Sequence, residues 1–135
     1  MELFFEFEKL DVYPWALDYQ LIADQMVDLL PVGRGYLRTP IRKCANSMPS
    51  TIAEGTGERG CERARFYRIA RREGLESASH LNSCRKLGLC NTELLQKGRK
   101  LLHRIVGMMT KLVRRAEFEG RAWRSEEGRK KKGKR

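Results

Sequence analysis

Apolar residues recur at three- and four-residue spacing through four successive stretches of this chain, and no stretch alternates them. Such recurrence builds one stripe along an α-helix, whereas a half-buried strand needs a period of two. The pattern predicts an all-α chain. In residues 12–30 the stripe is Trp15, Tyr19, Ile22, Met26 and Leu29 or Leu30. Asp11 is the expected N-cap, and Pro14 falls in the first turn, where its missing N–H costs little. Pro31-Val32-Gly33-Arg34-Gly35 then breaks the chain.

The second stretch, residues 37–54, carries Leu37, Ile41, Cys44/Ala45, Met48 and Ile52 on one side, with Arg42 and Lys43 off it. Pro49 lies inside this helix and is expected to bend it, with Ser47 and Ser50 placed to bond the freed backbone groups. Gly55-Thr56-Gly57 ends the helix. The third, residues 61–87, puts Phe66, Ala70, Gly74, Ser77, Ala78, Leu81 and Cys84 on one arc, opposite Arg65, Arg68, Arg71 and Arg72. Gly74, Ser77 and Ala78 are small enough for a neighbouring helix to approach closely, and Gly88 is the expected C-cap. The fourth begins after Asn91, the expected cap, and runs to about Ala116 or beyond. Its apolar face, from Leu94/Leu95 to Leu112/Val113, is wide enough for burial on two sides, the core and a subunit interface.

Four helices with short connections pack most simply as an antiparallel, up-down-up-down four-helix bundle. A chain of 135 residues is long enough to bury one core. The division expected is a bundle over residues 1–120 and a basic, disordered tail over residues 121–135. That tail holds Arg129, Lys130, Lys131, Lys132, Lys134 and Arg135.

Charge narrows the function. The chain carries a formal net charge of +11. Residues 1–30 hold seven acids and one base, residues 31–120 nineteen bases and eight acids, and residues 121–135 eight bases and two acids. The basic surplus favours polyanions: nucleic acid, an acidic lipid surface or an acidic protein. The acidic first segment beside it suits charge complementarity within or between subunits, or is simply a solvated face. Membrane association fits poorly, because the apolar faces are needed for the core. No stretch approaches the roughly 20 apolar residues of a membrane span. The start has no basic leader, so a cytoplasmic location is expected.

Catalytic chemistry finds little footing. His80 and His103 lie on different helices, and nothing beside His80 resembles an activated nucleophile. Ser47 and Ser50 read as backbone-bonding serines. Gly55-Thr56-Gly57 lacks the Lys-Ser/Thr that completes a phosphate loop. Glu54 and Glu76 fit structural pairing with Arg42, Lys43 or a second subunit's arginine better than acid–base work. Cys44, Cys61, Cys84 and Cys90 have no Cys-x-x-Cys spacing, so reduced thiols are expected rather than a metal site. The reading is a chain without enzymatic activity, metal or cofactor.

Arginine density marks the binding surface. Arg59, Arg63, Arg65, Arg68, Arg71 and Arg72 fall within fourteen residues. A guanidinium fork bonds two phosphate oxygens at once, and neutralising phosphates gives salt-sensitive, largely sequence-independent affinity. Arg42 and Lys43 offer a second surface. A solvated face, with Arg72 paired to Glu76, is the competing account. Aromatic residues are few and scattered, so backbone contact is expected rather than base stacking.

Phe7-Glu8-Lys9-Leu10-Asp11-Val12-Tyr13 resembles the opening of the four-helix-bundle proteins encoded in intervening sequences of bacterial large-subunit ribosomal RNA genes. The string Ile41 to Gly55, with its Ser-x-Pro-x-x-Ile-Ala-Glu-Gly core, resembles that family's second helix. Phe66 to Arg71 and Leu87-Gly88-Leu89 resemble its third helix and the following turn. Thr51 stands where the family usually has Asn, and Pro40 where it often has a polar residue. Similar bundles include the accessory variability proteins of diversity-generating retroelements. That resemblance implies a homopentamer that binds RNA or DNA and works beside a reverse transcriptase. The other role in view is a protein–protein assembly module with no direct contact to nucleic acid.

Overall fold

A computed structural model describes residues 2–133. After a 3₁₀ turn at Glu6–Lys9 come α1 (Val12–Asp28), α2 (Gly35–Thr56), α3 (Gly60–Lys86) and α4 (Thr92–Lys132). Each helix packs on two others: α1 on α2 and α4, and α3 on α2 and α4. With short connections this is the expected four-helix bundle.

The caps differ from one another. Asn91 behaves as expected, its side-chain oxygen accepting from the Leu94 N–H at 3.1 Å. Asp11 does not cap α1. Its own backbone is already helical and its carboxylate makes no cap bond. The chain enters α1 through the 3₁₀ turn instead, where Glu8 accepts from the Phe5 N–H at 2.9 Å. At the end of α3, Gly88 adopts φ +69°, and the Leu89 N–H reaches back to the Cys84 carbonyl at 2.9 Å. That left-handed residue turns the chain toward α4.

The core follows the stripes closely on α2, where Leu37, Ile41, Cys44, Ala45, Met48 and Ile52 are all buried. On α1, Leu29 is exposed and Leu30 buried, while Trp15 sits at the core's edge beneath the Arg104 guanidinium, 4.2 Å from the ring centroid. On α3 the buried aromatic is Tyr67, 3% exposed, and Phe66 lies only partly covered. On α4 the inner member of each apolar pair is buried: Leu95, Leu102 and Met109. Leu94, Leu101 and Met108 pack along the core's edge, so the bundle itself takes up much of that wide face.

α2 runs without interruption through Pro40 and Pro49. Of the two serines expected to bond backbone groups, one does. Ser47 bonds the Cys44 carbonyl at 3.4 Å and the Glu73 carboxylate, and Ser50 is exposed with no side-chain bond among the described residues.

α4 departs furthest from expectation. It spans 41 residues, about 60 Å at 1.5 Å per residue. The segment expected to be disordered is helical through Lys132. Every residue from 121 to 132 is exposed, so this part leaves the bundle as a single helix. Lys134 and Arg135 lie outside the described residues.

Candidate nucleic-acid interface

The arginines of α3 reach the surface on one side, but acids already engage several of them. Arg65 donates twice to the Glu62 carboxylate, at 3.1 and 3.2 Å. Arg68 crosses to α4 and donates to Glu117 Oε1 at 2.8 Å. Arg63 is half-buried and structural. It donates to the Glu58 and Thr56 carbonyls at 2.9 and 3.1 Å and stands 3.8 Å from Glu119. Among the described residues, Arg59, Arg71 and Arg72 make no ion pair. Arg72 is not joined to Glu76, and Arg71 is half-buried whereas Arg65, Arg68 and Arg72 are exposed. A shallow groove brings Arg65, Arg68, Arg71 and Arg72 together around Ile69 and Leu75.

Arg42 and Lys43 are exposed on α2, away from this groove. Arg42 stands 3.6 Å from Asp28 of α1, which brings base and acid together across the first two helices. Arg129, Lys130, Lys131 and Lys132 form the last turn of α4.

The cations missing from the sequence reading lie on α4. Lys100, Arg104, Lys111, Arg114 and Arg115 are exposed and fall within about 100° of one another at 100° per residue. None makes an ion pair among the described residues. Their three- and four-residue recurrence is a helical signal, but it is never locally dense, and density drew attention to residues 59–72.

The Ser47–Gly55 string is a packing seam between α2 and α3. Cys44 Sγ donates to Glu76 Oε2 at 3.2 Å, Ser47 Oγ donates to Glu73, and Thr51 Oγ1 donates to the Ser47 carbonyl at 2.8 Å. One turn on, Thr56 Oγ1 and Tyr67 Oη share a hydrogen bond at 2.9 Å. Glu76 is thus held by Cys44 rather than by Arg42 or Lys43. Burial, together with the bond to Glu76, pushes the Cys44 thiol up to about 12, so the sulfur stays protonated and unreactive. Burial also raises Glu73 and lowers half-buried His80. No group of three or more His, Cys, Asp or Glu among the described residues is placed to hold a metal. No helix among them is long and apolar enough to cross a membrane.

A family model described as 23S rRNA-intervening sequence protein matches residues 8–111. The chain belongs to this family. The matched residues run from the 3₁₀ turn into α4, and hold the α2–α3 seam and the six arginines of residues 59–72. The match ends at residue 111, before Arg114 and the projecting part of α4. No curated protein matches the chain.

Proposed function

We propose that the protein is a non-catalytic scaffold that binds the backbone of RNA or DNA through cations of α3 and α4. What supports this reading is the row of exposed cations on α4, none in an ion pair among the described residues, together with the arginine groove of the adjacent helix α3. The α4 row leans toward α1, where Arg104 lies over Trp15 and Arg115 shares a pocket with Glu6 and Lys9, so the two helices offer cations on separate faces of the bundle. Phosphate contacts need charge and reach but no base-edge geometry, and these side chains supply both. The pairs at Arg65 and Arg68 do not remove them from the surface. Exposed pairs are worth about 0–1 kcal/mol, less than a charge-assisted bond to phosphate.

The outer side of α1 supports self-assembly. Leu17, Leu21 and Leu29 are exposed there among Asp18, Asp24 and Asp28. Apolar residues rimmed by acids suit docking against another copy away from the cations assigned to nucleic acid, and a ring of five would multiply the binding surface. In this reading the scaffold is an accessory partner of a nucleic-acid enzyme, such as the reverse transcriptase of a diversity-generating retroelement. An assembly module without nucleic-acid contact is favoured only by the acids that engage Arg65 and Arg68.

Fluorescence anisotropy with duplex RNA, RNA–DNA hybrid and duplex DNA across a salt series tests the proposal. Affinity should fall with salt at a slope of about −0.9 per phosphate neutralised on B-form DNA. Replacing Arg65, Arg68 and Arg72 with Glu, or Lys111, Arg114 and Arg115 with Glu, should each abolish binding while leaving light scattering unchanged. Absence of binding at the lowest salt would sink the reading, and a monomer in light scattering would remove the ring.

A further inference from the structure

Where α3 begins, its first turn crosses α4 at almost zero clearance. Gly60 adopts φ +53°, and a Cβ on it would lie 3.1 Å from Gly120 Cα. A Cβ on Gly120 would lie 3.0 Å from Cys61 Sγ and 3.1 Å from Cys61 N. Two glycines therefore let backbone meet backbone at this crossing. Just beyond it α4 diverges, and the angle between the helices opens into a cleft of about 680 Å³.

The lining is particular. Trp123 lines the cleft and is 59% exposed, so much of its indole stands in water. Arg124 leans across, its Nη1 donating to Cys61 Sγ at 3.2 Å. Arg59 also lines the cleft and makes no ion pair among the described residues. Arg63 and Glu119 line it with their charges 3.8 Å apart. The cleft thus gathers a largely exposed indole, the unpaired Arg59 guanidinium and Arg124, which spends one N–H on Cys61 and keeps the others, at a crossing that two glycines fix.

We infer that this cleft holds one unstacked nucleotide of a single strand, its base against Trp123 and its phosphate between Arg59 and Arg124. A duplex does not fit this role, because its bases present only edges and the indole needs a face. Trp123 and Arg124 lie beyond residues 8–111 and so outside the family match. Aromatic spacing along the sequence gives no hint of this, since the cleft exists only because α3 crosses α4 at Gly120. The inference adds a single-strand contact to the proposed nucleic-acid binding and uses none of the cations in that proposal's charge reversals.

The test uses the full chain with Trp15→Phe, which leaves Trp123 as the sole tryptophan. A 5′-phosphorylated hexauridylate should quench its emission, and a duplex RNA of the same length should not. In the otherwise native chain, Trp123→Leu should weaken hexauridylate binding, read by anisotropy of a labelled strand, by about 5- to 100-fold. Circular dichroism should be unchanged, because the indole is mostly in water. Arg124→Gln should weaken the phosphorylated strand more than the same strand without its 5′-phosphate. Equal quenching by duplex, no quenching, or unaltered affinity in Trp123→Leu overturns the inference. Single-strand quenching that survives the Arg65/Arg68/Arg72 reversal, with duplex binding lost, shows two separate sites. Quenching with no duplex binding even at low salt leaves the cleft standing and removes the backbone reading.

Discussion

Gly55 of α2 lies so close to Tyr67 of α3 that a Cβ at position 55 would stand 2.9 Å from the tyrosine ring. The Cβ of Phe66 would be equally near, and that atom has no freedom to move aside. Ala is the better helix former by about 1 kcal/mol, but overpacking costs about 1–3 kcal/mol. Gly55→Ala should therefore destabilise the bundle by about 1 kcal/mol in urea unfolding. Gly107→Ala is the matched control: its Cβ would meet nothing within 4 Å, so it should stabilise by about 0.5–1 kcal/mol. If both changes shift stability in the same direction, the close approach is not what position 55 requires.

Glu117 shields Arg68. Glu117→Gln should weaken the fold slightly, since an exposed pair contributes about 0.2–1 kcal/mol. It should also tighten nucleic-acid binding, because the released guanidinium and the lost negative charge both favour phosphate. A double-mutant cycle with Arg68→Ala checks the first effect, and anisotropy the second. Weaker binding by Glu117→Gln would show that Arg68 is not at the interface.

Glu73 gives the α2–α3 seam a pH dependence. Its folded value lies above the ordinary 4.5 because burial disfavours the carboxylate. A raised value means a stability contribution that is fully present below the unfolded value and lost as pH rises through the folded one. His80 acts in the opposite sense: burial lowers it, and its contribution is lost as pH falls below the ordinary 6.5. Glu73→Gln should remove the first dependence alone. Unfolding midpoints at pH 4.5 and 7 should then show the variant gaining on the native chain as pH rises. A constant difference between them would mean that Glu73 titrates as if free.

Asn91→Ala should cost about 1 kcal/mol, because the Leu94 N–H loses its acceptor at the start of α4. Asp11→Ala should cost far less, since Asp11 makes no cap bond. Thermal unfolding of the two variants side by side measures the contrast, and equal losses would contradict the cap assignments.

Much of the bundle was legible because the stripe on α2 is short and unambiguous: all of its apolar positions from Leu37 to Ile52 are buried. The longer helices were harder. On α3 a wheel at 100° per residue puts Tyr67 40° and Phe66 60° to either side of Leu81, so both lie near the apolar arc and the wheel hardly separates them. The structure buries Tyr67 and leaves Phe66 partly covered. The end of α4 misled for another reason. Its composition is that of a disordered tail, yet Glu126 and Glu127 stand four residues before Lys130 and Lys131, a spacing that offsets repulsion along a helix. The arginine cluster was visible as a string, but its partners were not. Glu117 and Glu119 are some fifty residues away in sequence, and only packing of α3 on α4 brings them to Arg68 and Arg63. The cleft at Trp123 depends on the same packing.

Past Gly120 nothing on α4 is buried as far as Lys132, although six of the protein's 28 Lys and Arg lie there. Folding strength and a part of the ionic behaviour thus belong to different stretches of one helix. Acetylation, proteolytic trimming or sequence drift in the last three turns would reset how the molecule responds to salt and leave its melting temperature where it was.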